Sequence, residues 1–177
     1  MMQNEFTLKT ERLILRPLAL TDLDTAHAYA GDVENTKYMI YLPNNTAEET
    51  KAFLQRAAAE WEKENPSFYE FAVVLGGKHI GAVSVCLNEG GREAELGWII
   101  NKAYQGSGYA TEAAKAVLDF AAKNLGVDKV VAHCDYRNDR SRQVMLKIGL
   151  SLECDNGTRR YKGSEEDVRE FMYSLMI

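Results

Sequence analysis

The sequence predicts a single mixed α/β domain spanning residues 1–177. Three short apolar segments in the middle of the chain are separated by glycine-containing turns, which is typical of an antiparallel strand meander. Segments whose apolar residues recur at helical spacing lie on both sides of this meander. Of the 177 residues, 46% are hydrophobic, so the chain is long enough to bury one core and short enough for one domain.

The first third of the chain predicts one strand and two helices. Residues 13–15 are apolar and form a short strand that Pro17 ends. Thr21 has a side chain suited to a helix N-cap, so a short helix is expected after it. Thr46 caps a second helix, which is expected to run to about Lys63.

Three strands are expected in the middle of the chain. They span Phe68 to Leu75, His79 to Leu87 and Glu93 to Ile100, where β-branched and aromatic residues are frequent. Gly76-Gly77 has the composition of a tight hairpin turn, and residues 88–91 form a second turn. Strands joined by such short turns pair in an antiparallel arrangement.

The last third predicts two more helices and the closing strands. Thr111 to Leu125 has an apolar stripe of helical period, with Gly126 as its C-terminal cap. A strand at Lys129 to Asp135 is followed by a helix from about Asp139 to Ile148. The closing strands are expected at Leu150 to Cys154, Arg159 to Lys162 and Val168 to Met176, with a tight polar turn at Asp155 to Thr158.

Cysteine and histidine usage gives no indication of a metal site. The three cysteines include no Cys-x-x-Cys pair, and the three histidines are not spaced as metal ligands. No metal cofactor is therefore expected. Free cysteines are usually buried, and we expect Cys86, Cys134 and Cys154 to be buried thiols.

Charge and hydropathy exclude several classes of partner. The net charge of −5 argues against a nucleic-acid partner, which requires a basic face. No apolar run approaches the roughly 20 residues that cross a bilayer, so no membrane association is expected. Residues 1–10 lack the basic start and apolar stretch of a signal peptide, which indicates a cytoplasmic protein.

One segment has the features of an anion-binding loop. The strand that ends near Ile100 is followed by Gln105-Gly106-Ser107-Gly108-Tyr109-Ala110, here called the glycine loop, and then by a helix. Amide groups at a helix N-terminus attract an anion, and glycine allows the backbone to approach it closely. The segment is therefore a candidate pyrophosphate site, although an ordinary glycine turn at a helix start has the same spacing.

Two nucleotide-binding loops fit this segment less well. The loop of nucleotide triphosphatases requires a lysine after its last glycine, whereas Tyr109 follows Gly108. A dinucleotide-binding loop requires Gly or Ala where Thr111 stands, and it belongs to a parallel βαβ unit. Asp135 could still act as the ribose-binding acid, so a dinucleotide-binding oxidoreductase stays an alternative.

Six segments carry motifs that occur together in one enzyme superfamily. They are Leu8 to Pro17, Glu95 to Trp98, Gln105 to Ala113, Asn138 to Ser141, Lys147 to Leu150 and Asp167 to Leu175. The glycine loop has the Gln-x-x-Gly-x-Ala pattern of an acyl-CoA pyrophosphate loop. In this order, the segments resemble the GNAT N-acetyltransferase superfamily over nearly the whole chain, and most closely its RimJ/RimL-type branch. Trp98 and Leu150 depart from the commoner tyrosine and aromatic residue.

The resemblance implies the GNAT fold, with a central mixed, mostly antiparallel, splayed sheet of about seven strands flanked by about four helices. Acetyl-CoA would bind where two neighbouring strands part, with main-chain groups of Ile99 and Ile100 contacting its pantetheine arm. The glycine loop would wrap the pyrophosphate. The cofactor-binding set that the resemblance implies is Trp98, Ile99, Ile100, Gln105, Gly106, Ser107, Gly108, Tyr109, Ala110, Thr111, Asn138 and Ser141.

The resemblance also implies a reaction, in which an amine directly attacks acetyl-CoA in a ternary complex. The acceptor would be a primary amine, either on a small molecule or at a protein N-terminus. Glu95 is the candidate base, acting through a water, and Ser141 stands at the family position that protonates the leaving thiolate. A solvent-facing strand glutamate and a first-turn serine are the structural alternatives. Tyr38, Tyr41 and Phe68 are candidates for the acceptor side, with plain core packing as their alternative.

A second functional class is compatible with the same motifs. A catalytically silent acyl-CoA-binding module, which regulates a partner, would keep the glycine loop. The presence of Glu95 and Ser141 argues against this alternative. A homodimer is the assembly that the resemblance implies.

Overall fold

A computed structural model of the chain describes residues 6–177, and in this part eight strands form one sheet. They are β1 (Leu8–Lys9), β2 (Leu13–Pro17), β3 (Phe68–Leu75), β4 (Lys78–Leu87), β5 (Glu93–Ile100), β6 (Lys129–Asp135), β7 (Ser151–Arg160) and β8 (Asp167–Met176). The strand order is β1-β2-β3-β4-β5-β6-β8-β7, and all neighbouring pairs are antiparallel except β5 and β6. The predicted mixed, mostly antiparallel sheet is confirmed, with β1 as a short additional edge strand.

Five α-helices occur within residues 6–177 and cover the two faces of the sheet. They are α1 (Leu23–Ala30), α2 (Val33–Thr36), α3 (Ala47–Glu60), α4 (Tyr109–Phe120) and α5 (Asp139–Lys147), and one π-helical turn (Ala121–Leu125) extends α4. Apolar residues of α4 pack on one face of the sheet, and those of α1 and α3 pack on the other.

Strand β3 shows how the two cores are separated. Phe71 and Val73 are fully buried in the core that contains α4, whereas Ala72 between them belongs to the core under α1 and α3. Successive side chains of a strand point to opposite faces, so a sheet that is covered on both sides requires a nearly continuous apolar strand. The predicted meander of β3, β4 and β5 is confirmed by its register.

Helix α3 begins as predicted but ends earlier. The Thr46 hydroxyl accepts a hydrogen bond from the Glu49 N–H at 3.3 Å, which satisfies one of the free donors of the first turn. The Glu49 carboxylate accepts from Asn45 N–H at 3.1 Å instead of from Thr46. The helix ends at Glu60, three residues before the predicted end at Lys63.

The predicted N-cap at Thr21 is wrong. Thr21 lies inside a single 3-10 turn, and Asp22 occupies the N-cap position of α1. The Asp22 side chain is buried, and it accepts hydrogen bonds from Arg16 at 2.7 and 2.8 Å and from Ala19 N–H at 3.0 Å. A charge-assisted, bidentate contact of this kind is stronger than a neutral cap, so the chain enters the helix one residue later.

The closing strands also differ from the prediction. Residues 151–160 form one ten-residue strand, β7, instead of two strands flanking a tight turn at Asp155 to Thr158. The pairing of β7 with β8 shifts register between Leu152 and Cys154 and again between Cys154 and Gly157. Such irregularities place polar, turn-forming residues inside a strand without ending it.

The cysteines are less uniformly buried than predicted. Cys134 is buried, Cys154 is half-buried and Cys86 is exposed. Cys86 lies on the α1–α3 face near the end of β4, past the apolar residues that these helices cover. Across the described range 6–177, no helix is long and apolar enough to span a membrane, and no group of three or more His, Cys, Asp or Glu could hold a metal ion.

The predicted splaying of the sheet is confirmed between β5 and β6. These parallel strands pair only at Glu93–Lys129, Ala94–Val130 and Glu95–Val131. Beyond this point β5 continues to pair with β4, and β6 continues to pair with β8. The wedge between residues 96–100 and 132–135 is here called the fork.

Candidate active site

The glycine loop leads from the open end of the fork into α4. Gly106 and Gly108 have φ angles of +84° and +82°, a region that residues with a side chain rarely adopt. Gly108 is the N-cap residue of α4. The two glycines therefore allow the chain to reverse direction directly beside the helix N-terminus.

The loop presents a row of free main-chain donors. None of the N–H groups from Gly106 to Thr111 has a hydrogen-bond acceptor among residues 6–177, and the first bonded amide is Glu112 N–H, which donates to Gly108 O at 3.0 Å. The partial positive charge of a helix N-terminus adds to this row. The geometry fits a pyrophosphate, because its oxygens could accept from several of these amides at once.

Gln105 braces the loop across the fork. Its side-chain amide donates to Ile100 O at 2.8 Å and to Asn35 Oδ1 at 3.3 Å, and its carbonyl oxygen accepts from Arg140 Nη1 at 2.8 Å. Gln105 thus connects the end of β5 with α2 and with the first turn of α5. These contacts link the two sides of the fork.

Arg12 is a site residue that the sequence analysis did not single out. Its Nη1 donates to Ser107 O at 3.0 Å, and its guanidinium carbon lies 4.6 Å from the centre of the Tyr109 ring. Its Nε donates to Glu112 Oε2 at 2.7 Å. Arg12 lies about 100 positions away along the chain, so no local pattern could indicate that it contacts the glycine loop.

Glu112 joins the start of the chain to the first turn of α4. Its carboxylate accepts from Thr10 Oγ1 at 2.5 Å and from Arg12 N–H at 2.9 Å, in addition to Arg12 Nε. Burial works to raise the pKa of Glu112, but the hydrogen bonds from Thr10 and Arg12 outweigh it, so the pKa lies below its ordinary value.

We expect Glu112→Gln to lower the midpoint of thermal unfolding at pH 7 by about 3 °C. A carboxylate whose folded pKa is depressed contributes stability above its unfolded pKa and loses it as the pH falls through the folded pKa. The difference between variant and wild type should therefore shrink below pH 4.5. Differential scanning fluorimetry from pH 3 to 8 measures this, with the exposed Glu62→Gln as control. A difference that does not change with pH would contradict the assigned contacts.

The main chain of β5 presents polar groups to the fork at alternate residues. Asn101 N–H donates to Ile80 O at 2.8 Å, and antiparallel alternation from this pair directs the main-chain groups of Ile99 and Gly97 toward β4. Those of Trp98 and Ile100 face the fork instead. Trp98 and Ile100, both in the predicted cofactor-binding set, have this orientation, whereas the side chain of Ile99 packs under α1 and α3. The contacts of these residues with a pantetheine arm stay predictions.

Glu95 lies at the closed end of the fork and pairs with His133. His133 Nδ1 lies 3.1 Å from Glu95 Oε1. The hydrogen bond to the Glu95 carboxylate raises the pKa of His133 above its ordinary value, against the opposing effect of burial. The Glu95 side chain is 54% exposed, so the pair lies where solvent and an acceptor have access. The sequence analysis identified Glu95 but not its partner.

Helix α5 begins at the other side of the fork, directly after β6. The Asn138 side chain caps it, because Asn138 Oδ1 accepts from Ser141 N–H at 3.1 Å. The Ser141 hydroxyl has no hydrogen-bond partner within residues 6–177, and Ser141 is half-buried. Asn138 therefore acts as the N-cap of α5 through the Ser141 N–H. The Ser141 hydroxyl stays free to form a hydrogen bond with a bound co-substrate.

Asp135, at the end of β6, is fully buried and fully engaged. It accepts hydrogen bonds from Arg137 N–H, Nε and Nη2 at 2.8, 2.9 and 2.7 Å, and from the Tyr161 hydroxyl. Burial works to raise the pKa of Asp135, but these donors lower it to about 2. A side chain held in this way is not available to a ribose. The strand β5, the glycine loop and α4 do lead into a parallel strand, β6, so it is the engagement of Asp135 that leaves the dinucleotide-binding alternative unsupported.

The three aromatic residues considered for the acceptor side occupy different surroundings. Tyr41 is 84% exposed and lies beside Tyr161 in a shallow groove. Tyr38 lies near the Arg137 guanidinium, 5.9 Å from its ring centre. Phe68 packs edge-on against Phe53 at 6.4 Å, as a core residue does. Tyr38 and Tyr41 therefore stay candidates for acceptor contact.

Comparison with known proteins identifies the family. The family model described as "Acetyltransferase (GNAT) domain" matches residues 12–151. The chain belongs to the GNAT acetyltransferase family. The match includes the glycine loop, the fork and α5, so the resemblance predicted from sequence motifs is confirmed.

Individual relatives support this GNAT assignment along most of the chain. An uncharacterized N-acetyltransferase, YnaD of Bacillus subtilis, is 31% identical over 148 residues, which are 81% of this chain and 82% of the relative. The spermidine N(1)-acetyltransferase of Escherichia coli K12 is 28% identical over 140 residues, 78% of this chain and 73% of that enzyme. The crystal structure of a GNAT-family acetyltransferase from Bacillus anthracis superposes with a TM-score of 0.84 at 29% identity, covering 97% and 98% of the two chains.

Proposed function

We propose that this GNAT acetyltransferase moves the acetyl group of acetyl-CoA to a primary amine by direct attack in a ternary complex, with Glu95 and Ser141 as its proton-transferring residues. The observation that carries the proposal is the fork, flanked by the free amides of the glycine loop on one side and by α5 on the other. Such a site holds an extended, anionic co-substrate between two strands.

The chain supplies the co-substrate contacts from three directions. The amides from Gly106 to Thr111 bind the pyrophosphate, and Arg12 holds the loop in place through its hydrogen bond to Ser107 O. Main-chain groups of Trp98 and Ile100 bind the pantetheine arm within the fork. An N–H on this same strand edge is the natural donor to the oxyanion that forms during acyl transfer. When bound, acetyl-CoA supplies an activated thioester.

The amount of base assistance depends on the acceptor. An α-amino group with a pKa near 7.8 is about 15% neutral at pH 7, whereas a lysine amine near 10.4 is less than about 0.1% neutral. The difference corresponds to about 3.5 kcal/mol. Glu95 attracts the cationic amine and accepts its proton through a water. The leaving thiol has a basicity near that of cysteine, about 8.5, so one hydrogen bond from Ser141 is sufficient help.

The acceptor class is proposed to be a cationic small-molecule amine or a protein N-terminus. The relative from Escherichia coli is named for spermidine, and the exposed Glu95 suits any ammonium group. A thiol-release assay with acetyl-CoA against polyamines, amino acids, aminoglycosides and peptides with free N-termini tests this. Turnover identifies the acceptor. Binding of acetyl-CoA without turnover on the whole panel would favour the silent binding module.

A cytoplasmic location and a homodimer complete the proposal. Both rest on the family resemblance rather than on a contact in the structure. Light scattering coupled to size-exclusion chromatography measures the mass directly. A monomer with full activity would remove the homodimer from the proposal.

We expect Glu95→Gln to lower kcat/KM for the amine about tenfold, since it removes the charge but keeps the shape. The same change should lower the pKa of His133, because the hydrogen bond to the Glu95 carboxylate is the main cause of its raised value. Steady-state kinetics and NMR titration of the histidine ring measure the two effects. Glu89→Gln, in an exposed turn, is the control. A shifted His133 with unchanged kinetics would assign Glu95 a structural role.

A further inference from the structure

His133 is a histidine at the fork to which the proposed mechanism gives no role. It lies in β6, two residues beyond Val131, the last residue of β6 that pairs with β5. Its Nδ1 lies 3.1 Å from Glu95 Oε1. The His133 side chain is 25% exposed, against 54% for Glu95. The imidazole is thus the more buried partner of this pair, and the carboxylate is the more accessible one.

The two carboxylate oxygens of Glu95 have different surroundings. Oε1 contacts His133 Nδ1, whereas Oε2 has no hydrogen-bond partner within residues 6–177. An ionised carboxylate can only accept a hydrogen bond, so Nδ1 carries the proton in this contact. His133 therefore donates to Glu95 whether its ring is neutral or charged. One oxygen is held in place by this bond, and the other is left for an ammonium group.

The net charge of the pair depends on the second ring nitrogen of His133. When Nε2 is deprotonated, the pair has the negative charge of Glu95; when Nε2 is protonated, the pair is neutral. An imidazolium and an ammonium group that share one carboxylate repel each other. At about 6 Å and an effective dielectric near 20, this repulsion corresponds to about a hundredfold in affinity, and solvent exposure reduces it to about tenfold.

The other charged groups around His133 are paired among themselves. Glu170 of β8 accepts a hydrogen bond from Arg159 Nε of β7 at 2.9 Å, and the two act on the pKa of His133 in opposite directions. Further pairs on the neighbouring strands join Asp135 with Arg137, and Lys129 with Glu93 and Glu153. Directly opposite Glu95 in β4 is Cys86, a thiol whose pKa is raised by burial. Glu95 is therefore the charge to which His133 responds most.

We propose that His133 is a positioning residue for the acceptor: its Nδ1–H holds Glu95 Oε1, and the loss of its Nε2 proton gives the pair the negative charge that binds an ammonium group. This inference rests on the proposed acetyl transfer. When the ammonium group binds at Glu95 Oε2, the Nε2 proton leaves to solvent and the Nδ1 proton stays in place. The cationic acceptor and this one proton therefore compete for the same pair. Deprotonation of the amine and acyl transfer follow as proposed above.

Two substitutions separate the position of Glu95 from its charge. His133→Asn keeps an N–H near the place of Nδ1 but cannot become charged, and His133→Leu removes both. The measurement is kcat/KM for the amine with the highest turnover in the assay panel, from pH 5.5 to 9. Dividing each variant by wild type at the same pH removes the titration of the amine itself.

We expect the His133→Asn ratio to rise about tenfold as the pH falls through the pKa of His133, because only the variant keeps an uncompensated Glu95. His133→Leu should show the same rise from a level about tenfold lower, since Glu95 Oε1 is no longer held. His27→Asn is the matched control, because His27 pairs with Thr50 of α3 at 2.9 Å instead of with a carboxylate. Its ratio should not vary with pH.

Binding of the acceptor gives a second readout that is independent of turnover. A cation that binds better to the neutral form of His133 must, by linkage, lower the pKa of His133 when it is bound. NMR titration of the histidine ring measures this with coenzyme A present, in the absence and in the presence of saturating amine. We expect the bound amine to lower the pKa by about one pH unit, which corresponds to the tenfold effect above. An unchanged pKa would overturn the inference.

The kinetic outcomes separate this inference from the proposed function. An inactive wild type on the whole amine panel overturns both. An active wild type with a His133→Asn ratio that is constant, or that falls as the pH falls, overturns the charge effect of His133 alone. Equal ratios for His133→Asn and His133→Leu at every pH would overturn the positioning of Glu95 by the ring N–H.

Discussion

In the Gly108→Asp variant, we expect the affinity for coenzyme A to fall about a thousandfold. A Cβ atom at Gly108 would lie 3.5 Å from Arg12 Nη2, which is ordinary contact, so the loss does not require a collision. It comes from the added charge. Two unit charges about 4 Å apart repel by about 4 kcal/mol at an effective dielectric near 20, which is about three orders of magnitude in a dissociation constant.

Isothermal titration calorimetry with coenzyme A measures this effect. Gly126→Asp is the matched control, because Gly126 also has a positive φ, of +65°, and a Cβ there meets nothing within 4 Å. Gly126 follows the π-helical turn at the far end of α4, so its variant has the same strain and charge without the loop. Retained affinity in Gly108→Asp would show that the glycine loop is not the pyrophosphate site.

For Ser141→Ala, we expect kcat to fall about a hundredfold while KM for acetyl-CoA stays nearly constant. The hydroxyl has no partner within residues 6–177, so its removal breaks no contact of the fold. The Ser141 N–H, which Asn138 binds, is kept in alanine. The loss should therefore fall on the step in which the sulfur leaves, rather than on binding or folding.

Steady-state kinetics at saturating amine measure this result, with Ser151→Ala in the exposed β7 strand as control. Thermal unfolding should show no change for Ser141→Ala. An unchanged kcat would mean that another group, or water, protonates the thiolate. A raised KM with unchanged kcat would instead make Ser141 a binding residue.

The parts of the fold that follow from short-range chemistry were predictable from the sequence. Two glycine-containing turns and three apolar segments were sufficient to predict the meander. The capping side chain of Thr46 was sufficient to predict the start of α3. β7 was not predictable, since Asp155 to Thr158 have the composition of a turn. Pairing with β8 overrides that local preference by accommodating two register shifts. The predicted N-cap at Thr21 was wrong for a related reason, because the neighbouring Asp22 forms a buried ion pair with Arg16.

The candidate site divides in the same way. The glycine loop is a contiguous motif, so its role could be inferred before any contact was known. The pairs Arg12–Glu112 and Glu95–His133 join residues 100 and 38 positions apart, and one sequence does not indicate which distant side chains meet. The orientation of Ile99 also depends on pairing, which local pattern does not specify.

The short pairing of β5 with β6 has a consequence for cooperativity. Three residue pairs make the only ladder between the strands β1–β5 and β6–β8 within the described chain. A pantetheine arm in the fork would extend this ladder in place of a missing strand. Binding at 100 times the dissociation constant adds about 2.7 kcal/mol to the folded state, and here that energy joins two halves of one sheet. A bound co-substrate then acts as a structural element of the sheet. The two halves of the sheet would unfold as one unit while it is bound.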